Sequence, residues 1–252
     1  MGSKVSICIP VYNNPDGLDK LLRSIENQDY RDFEVIVSDD SANDECKDIA
    51  LSYNNDFDLN YIKHVATGKP GDNWNSSLSK ANGDYIKMMF HDDWFTDDKS
   101  LGKYVEMLDN SDAAFAFSGS MQVAEDWRYK RHIKNEDLSF ISKDIRNLYV
   151  GNVIGAPSAT IARNKGITFD RKLRWLIDMD FYLSAMKDEP AAFANTNEPL
   201  VSIGISDSQL TNYCKKHPGI VRREYLYIAR KHKLLGNPEY KKYLISQIKK
   251  PH

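Results

Sequence analysis

Three short acidic clusters are the residues of this chain best suited to chemistry. The first, His91, Asp92 and Asp93, directly follows the apolar run YIKMMF. Carboxylates at the end of a strand can hold Mn²⁺ or Mg²⁺, since hard cations prefer oxygen ligands, and the cation can clamp a diphosphate and neutralise the charge of a leaving phosphate. The alternative is a solvated aspartate-rich turn that caps the following helix.

The second cluster, Asp39 and Asp40, ends the segment EVIVSDDS. A carboxylate at this position could accept hydrogen bonds from a ribose or from the N–H of a base. The alternative is an Asx turn, which the same residues favour. A third strand end, PVYNN, adds Tyr12 as a stacking face and Asn13 as a polar contact, although a tyrosine here could equally line the edge of the core.

Asp178 and Asp180 lie in WLIDMDF, at the start of a predicted helix. Apolar neighbours such as Trp175 and Ile177 should partly desolvate a carboxylate and raise its pKa, which suits a general base. The alternative is that both aspartates cap the helix and stabilise its dipole.

These clusters need elements that bring them together. The first hundred residues alternate strands at residues 5–11, 33–41, 58–65 and 85–90 with helical segments. This alternation predicts a parallel sheet with right-handed crossovers and helices on both faces. Such sheets bind ligands at the carboxyl ends of their strands. Because PVYNN, SDDS and HDDW all fall at strand ends, we expect them to form one site.

Beyond residue 96 the pattern is looser. We predict a helix in DDKSLGKYVEMLDN, strands in AAFAFSGSMQV and APSATIAR, and an exposed connection in WRYKRHIKNEDLSF. AAFANTNEPLVSIGIS reads as extended chain, and two amphipathic helices follow. We therefore predict a nucleotide-sugar-binding half at residues 1–95, an acceptor-binding half of the same domain at 96–212, and a helical extension at 213–252.

Composition places the chain among globular proteins. It has 252 residues, of which 41% are hydrophobic and 28% charged, and no stretch approaches the ~20 apolar residues that span a bilayer. The first residues lack a signal-peptide pattern, and the three cysteines match neither a zinc site nor a disulfide framework. We expect a cytoplasmic protein.

The net charge of −2 conceals an asymmetry. Residues 215–252 carry eleven Lys/Arg against two Asp/Glu, so this tail has a charge of +9 and the remainder −11. The tail could bind the acidic body, a partner, or anionic lipid at the cytoplasmic face of a membrane, as basic amphipathic helices do. We expect no nucleic-acid partner.

Taken in order, the motifs resemble family 2 glycosyltransferases, which have the GT-A fold. The matching blocks are VSICIPVYNNPDGLDKLLRSIENQDYRDFEVIVSDDS, GDNWNSSLSKANGDYIKMMFHDDWF and GAPSATIARNKGITFDRKLRWLIDMDFYL. The resemblance covers roughly the first 210 residues, and its strength lies in the order and spacing of the blocks. It implies an α/β, Rossmann-like domain with a mostly parallel central sheet, followed here by the helical extension.

The resemblance also implies an activity and a set of roles. The family transfers a sugar with inversion from a nucleotide-diphosphate donor, here favoured to be a UDP-sugar, to a saccharide or lipid-linked saccharide in polysaccharide or glycolipid assembly. By position, Pro10, Tyr12 and Asn13 would line the nucleotide pocket, Asp39 would face the base with Asp40 nearby, Asp92 would bind the metal with Asp93 beside it, and Asp178 would be the catalytic base.

The chain departs from the family pattern at two places. Phe90 stands where the family has the first aspartate of its D-x-D motif, and Ile177 stands where it has a glutamate before the base. These departures leave open a non-catalytic protein that binds sugar nucleotides or acts as a scaffold. A sugar-phosphate nucleotidyltransferase is a further alternative, although PVYNNPDG replaces the glycine-rich loop that it would need. No G-x-G-x-x-G follows any predicted strand, which argues against an NAD-dependent enzyme.

Overall fold

The first half of the chain forms the predicted alternation of strands and helices. The computed structural model describes residues 2–187, 193–206 and 210–249. Pro15 is the first helical residue after the first strand, where the missing N–H costs nothing. The elements are β1 (Val5–Val11), α1 (Pro15–Glu26), β2 (Phe33–Asp39), α2 (Glu45–Ser52), β3 (Asp58–Lys63), α3 (Pro70–Leu78) and β4 (Tyr85–Met88).

These four strands run parallel in the order β3-β2-β1-β4. β1 lies between β2 and β4, and every one of its residues is buried. Val11 pairs with Asp39, and Cys8 pairs with Met88. The carboxyl ends of β1, β2 and β4 therefore lie side by side, as the sequence predicted.

The second half continues the same sheet with mixed pairing. β8 (Thr160–Arg163) is antiparallel to β4 and to β6 (Phe115–Val123), β9 (Phe193–Gly204) is parallel to β6, and β5 (Asp93–Phe95) is antiparallel to β9. The elements are β5 (Asp93–Phe95), α4 (Ser100–Asp109), β6 (Phe115–Val123), β7 (Arg128–Arg131), α5 (Asn135–Lys143), β8 (Thr160–Arg163), α6 (Ile177–Ala185), β9 (Phe193–Gly204), α7 (Leu210–Lys215), α8 (Pro218–Lys231) and α9 (Pro238–Lys249), with short 3₁₀ helices at Ile145–Tyr149, Pro157–Ala159 and Leu234–Gly236.

Three predicted elements were wrong or incomplete. The expected exposed connection is largely exposed, but it also contains β7 and the start of α5, because Ile133 within it and Ile141 just beyond it are buried in the core. The sequence DNWNSSLSKANG predicts a helix capped by Asp72 and ended by Gly83, but α3 begins at Pro70, with Lys69 as its N-cap, and ends at Leu78. β5 was not predicted. Residues 191–192, the start of the extended segment, lie outside the described residues.

The sheet separates two apolar clusters. Ile7 and Ile9 of β1 face one cluster with α1, α2 and α4, whereas Cys8 faces the other with α6, α8 and α9. Val221 and Leu244, from the predicted amphipathic tail, are buried in this second cluster. The division at residue 213 stays a prediction, but the tail helices share a core with the sheet.

The described part of the chain contains no helix that is both long enough and apolar enough to cross a bilayer. All three cysteines are buried free thiols.

Candidate active site

The polar residues after β1 and β4 are in contact at one edge of the sheet. His91 Nδ1 donates to the carbonyl of Pro10 over 3.2 Å, and the Asp40 N–H donates to the carbonyl of Val11 over 3.0 Å. Gly17, at the start of α1, lies so close that a Cβ there would collide with the carbonyl oxygen of His91. The segments PVYNN, SDDS and HDDW therefore converge.

Asp39 is completely buried at the end of β2. Its Oδ1 accepts from the Ser41 N–H over 2.7 Å, while Oδ2 accepts from the Tyr61 hydroxyl over 2.7 Å and from Lys63 Nζ over 3.2 Å. Burial alone would raise the pKa of Asp39, but these hydrogen bonds outweigh it and hold the pKa below its ordinary value. Asp39 is thus an ionised carboxylate, and the base of a bound nucleotide would have to approach it beside Tyr61 and Lys63.

Asp40 is paired with a histidine that the sequence did not assign. His64 Nδ1 lies 2.5 Å from Asp40 Oδ1, and both side chains are largely buried. Burial raises the pKa of Asp40, although the histidine partly offsets it. His64 lies in the loop directly after β3. The parallel pairing of β2 with β3 brings it beside Asp40, which local sequence does not reveal.

Tyr12 and Asn13 differ in how firmly they are held. Tyr12 is 57% exposed, so one face of its ring is accessible at this edge. Asn13 adopts a left-handed backbone (φ 49°), and its N–H donates to Ser41 Oγ over 2.8 Å. Pro10 is buried in β1, and its contact with the site is its carbonyl.

Asp92 and Asp93 occupy different environments. Asp93 is the first residue of β5 and is 3% exposed, with Oδ1 accepting from the Gly204 N–H over 3.1 Å. Burial, together with the charge of Asp92, raises the pKa of Asp93 well above its ordinary value. Asp93 is buried, whereas Asp92 stays half-exposed at the edge; the assignment of the two aspartates to a cation stays a prediction, with Asp92 the more accessible of the pair.

Asp93 lies near a fully buried lysine. Lys87 Nζ donates to the carbonyl of Ser158 and lies 4.4 Å from the ring centre of Tyr104. Burial lowers the pKa of Lys87, and the nearby Asp93 opposes that shift. Ser158 Oγ accepts from the Phe90 N–H over 3.0 Å. The interior behind the HDD turn is therefore polar and internally bonded.

The donor set at the edge suits a hard cation that arrives with phosphates. Among residues 2–187, 193–206 and 210–249, no group of three or more His, Cys, Asp or Glu side chains could enclose a metal ion. Asp92 alone offers a half-exposed carboxylate at the turn. Mg²⁺ sites commonly use one or two carboxylates, several waters and substrate phosphate oxygens, so this arrangement fits such an ion.

Asp178, at the second position of α6, is a half-buried carboxylate with both oxygens bonded. Oδ1 accepts from the Met179 N–H over 2.7 Å, and Oδ2 accepts from Asn152 Nδ2 over 2.8 Å. Burial raises the pKa of Asp178 to about 6, against the lowering effect of these hydrogen bonds. The raised pKa expected from its apolar neighbours is therefore found.

Asp180 has a different role from Asp178. It is 1% exposed, and its two oxygens lie 2.7 Å from Lys231 Nζ and 2.7 Å from His232 Nε2. Lys231 also bonds Asp170 over 2.8 Å. These ion pairs join the end of α8 to α6, so part of the basic tail binds the acidic body of the same chain.

A row of aromatic rings joins the HDD turn to α6. The ring centres of Phe90 and Trp74 lie 4.5 Å apart, those of Trp74 and Phe169 4.9 Å, and those of Phe169 and Phe181 4.4 Å. Phe90, which replaces the first acid of the family motif, is therefore a packing residue. Ile177, which replaces the glutamate, is buried and lies near Gly71 at the start of α3.

Comparisons with known proteins identify the family of this chain. The profile of glycosyl transferase family 2 matches residues 6–169. A GalNAc(5)-diNAcBac-PP-undecaprenol beta-1,3-glucosyltransferase of Campylobacter jejuni is 34% identical over 94 residues, which is 36% of this chain and 30% of that protein. An uncharacterized glycosyltransferase of Rickettsia typhi is 27% identical over 224 residues, covering 82% of this chain and 66% of that protein. The chain thus spans less than two thirds of the length of these relatives.

Solved structures show the same fold at low sequence identity. TarS residues 1–349 of S. aureus, in complex with UDP-GlcNAc, superposes with a TM-score of 0.69 at 18% identity, covering 97% of this chain and 71% of that one. Glucosyl-3-phosphoglycerate synthase of Mycobacterium tuberculosis, in complex with Mn²⁺, UDP and phosphoglyceric acid, gives 0.58 at 14% identity, covering 100% and 80%.

Proposed function

Because this chain belongs to glycosyl transferase family 2, we propose that it transfers a sugar, with inversion, from a nucleoside-diphosphate donor to an acceptor hydroxyl. One observation carries this proposal. Asp178 is a half-buried carboxylate with a pKa raised to about 6, and a row of packed aromatic rings runs from its own helix α6 to Phe90, two residues before Asp92. A base and a phosphate-binding edge are the two parts that the reaction needs.

The nucleotide would bind at the carboxyl ends of β1 and β2. Tyr12 offers an exposed ring for stacking, and Asp39 is an ionised acceptor for the N–H of a base. Asn13 and Asp40 would complete the polar wall, while Pro10 would contribute its position in β1. We favour a UDP-sugar, since both structural neighbours described above were solved with UDP or a UDP-sugar.

The diphosphate would lie at the HDD turn. Asp92 would hold Mn²⁺ or Mg²⁺, which when bound offsets the negative charge of the departing diphosphate. His91 would keep its place through its bond to Pro10. Asp93 would support the turn from inside through Gly204.

Asp178 would act as the general base. The acceptor oxygen forms its bond to the anomeric carbon as the bond from that carbon to the diphosphate oxygen breaks, and the hydroxyl proton passes to Asp178. A pKa of about 6 leaves this carboxylate ionised at neutral pH and more basic than an ordinary aspartate. Asn152 and the Met179 N–H would fix its orientation.

The acceptor would be a saccharide or lipid-linked saccharide. Trp127 and Tyr129 are exposed and stacked at 5.6 Å on the hairpin that joins β6 to β7, which suits contact with sugar rings. The hairpin extends from the end of β6, where Val123 pairs with Gly204 near the HDD turn. Basic residues of α8 and α9 would add peripheral contact with anionic lipid at a cytoplasmic membrane face.

An assay of nucleotide release tests this function. The protein is incubated with UDP-sugars, Mn²⁺ and a panel of saccharide acceptors, and UDP release and product mass are followed. We expect acceptor-dependent UDP release with a glycosylated product. Donor binding without transfer or hydrolysis would favour a scaffold, and pyrophosphate release from a nucleoside triphosphate and a sugar phosphate would indicate a nucleotidyltransferase. Either result would overturn the proposal.

A further inference from the structure

The helix that carries Asp178 is capped by a residue from another helix. Leu176, the N-cap of α6, provides no side-chain cap. Instead, three successive backbone N–H groups point to the carboxylate of Glu224 in α8. Oε1 accepts from Arg174 over 2.9 Å, and Oε2 accepts from Trp175 over 2.8 Å and from Leu176 over 2.9 Å.

Glu224 is 5% exposed, so these bonds are formed away from water. Burial raises the pKa of Glu224, while the three N–H groups and the charge of Arg174 lower it. Without this carboxylate, the N–H of buried Leu176 and those of the partly buried Arg174 and Trp175 would lose their partner, which is most costly for the buried group. Glu224 therefore holds the chain in place immediately before α6, two residues ahead of Asp178.

Glu224 also adds negative charge near the base. Its charge is one of the causes that raise the pKa of Asp178, after burial. The family pattern has an acidic residue next to the base, and this chain has Ile177 there. Glu224, which lies 50 residues beyond Arg174 in sequence, brings a carboxylate to the same helix start from the C-terminal extension.

We propose that Glu224 is a positioning residue for Asp178. Glu224 fixes the start of α6 and provides, from α8, the acidic neighbour that Asp178 lacks because residue 177 is isoleucine. This inference rests on the proposed role of Asp178 as the base. It gives the C-terminal extension a function in the reaction that the family profile, which ends at residue 169, does not cover.

Few other ionisable groups face this pair. Burial raises the pKa of Tyr182 in α6, and the charge of Asp178 raises it further, whereas the charge of Arg131 in β7 lowers it. Glu224 faces Arg174 and the Cys214 thiol of α7, whose pKa it helps to raise. Asp180 has its own ion pairs with Lys231 and His232, so it does not replace Glu224.

Two substitutions separate the effect of the charge of Glu224 from that of its side-chain length. Glu224→Gln removes the charge and one acceptor oxygen, and Glu224→Asp keeps the charge but shortens the side chain. Glu239→Gln, at the first turn of the separate helix α9, is the matched control. The Asp178 carboxyl is followed by carbon-detected NMR titration, with its signal assigned by difference from Asp178→Asn, so this readout needs no substrate.

In Glu224→Gln we expect the titration midpoint of Asp178 to move to lower pH than in wild type. We expect both Glu224 variants to lower kcat by roughly 10–10²-fold, as misplaced catalytic groups do, with little change in KM for the donor. If Glu224→Gln does not fold, Glu224→Asp still tests the role, since its midpoint should stay near wild type while kcat falls.

An unchanged midpoint in Glu224→Gln, or an unchanged kcat in Glu224→Asp, would overturn the inference. Asp178→Asn in the same assay distinguishes this failure from that of the proposed function. If Asp178→Asn is inactive while the Glu224 variants behave as wild type, only the positioning role fails. If Asp178→Asn keeps full activity, the base assignment itself is wrong.

Discussion

Asn152 Nδ2 lies 2.8 Å from Asp178 Oδ2, and the same nitrogen lies 3.1 Å from the carbonyl oxygen of Gly155. Asn152 Oδ1 in turn accepts from the Gly155 N–H over 3.0 Å. The amide is therefore held on both sides, because a flip would lose all three bonds. Gly155 has φ +101°, a conformation that side chains rarely adopt, so this turn depends on glycine. The turn therefore fixes the Asn152 amide where it donates a hydrogen bond to Asp178, the proposed base.

This contact predicts a pH dependence. Asp178 acts as a base only when ionised, so kcat/KM should rise as pH passes through its pKa of about 6. Asn152→Ala removes a donor that favours the charged form, so the acid limb should move to higher pH by about one unit. A pH profile of kcat/KM measures the acid limb in wild type and its shift in Asn152→Ala. An acid limb that does not move would show that Asn152 does not stabilise the ionised base.

Asp178→Asn should abolish transfer without preventing donor binding. Asparagine keeps the shape of the side chain but cannot accept a proton, and loss of a general base typically costs ~10²–10⁴ in rate. Single-turnover kinetics report the loss, and calorimetry with donor reports binding. Near wild-type turnover would exclude Asp178 as the base.

Lys87 and Asp93 should be coupled in stability. Lys87→Met removes the buried amine whose charge opposes the rise in the pKa of Asp93, together with its hydrogen bond to the Ser158 carbonyl, so it should cost about 1–3 kcal/mol. The double variant Lys87→Met with Asp93→Asn should lose less than the sum of the two single variants. Urea denaturation gives the free energy of unfolding for all four proteins. Additive losses would mean that the two groups do not interact.

Much of the fold could be predicted from local pattern. The run VSICIPV is a buried strand as predicted, and Leu18, Leu22 and Ile25, which recur at the spacing of one helix face, are buried in α1. The parallel order of the first four strands followed from their alternation with helices. Such features depend on neighbouring residues, which a sequence displays directly.

The remaining features depend on contacts between distant residues. Nothing local indicates that Glu224 caps α6, that His64 meets Asp40, or that Asp93 turns inward to Gly204. β5 was missed because three residues pair only with β9, over a hundred positions away. No local sign was available for Asp93, because it begins a strand that the local pattern did not predict, directly after a turn.

In the proposed reaction, Asp92 binds a cation and a nucleoside diphosphate, while Asp178 is a separate base. A thermal-shift titration with UDP, with and without Mn²⁺, tests it in wild type, Asp92→Ala and Asp178→Asn. A ligand at 100 times its Kd stabilises by about 2.7 kcal/mol, and ~1 kcal/mol raises Tm by about 2–4 °C in a protein of this size.

We therefore predict a Mn²⁺-dependent rise in Tm of roughly 5–10 °C in wild type and in Asp178→Asn, and its loss in Asp92→Ala. A rise of equal size in Asp92→Ala, or no rise in wild type with UDP or any other nucleoside diphosphate, would contradict the account.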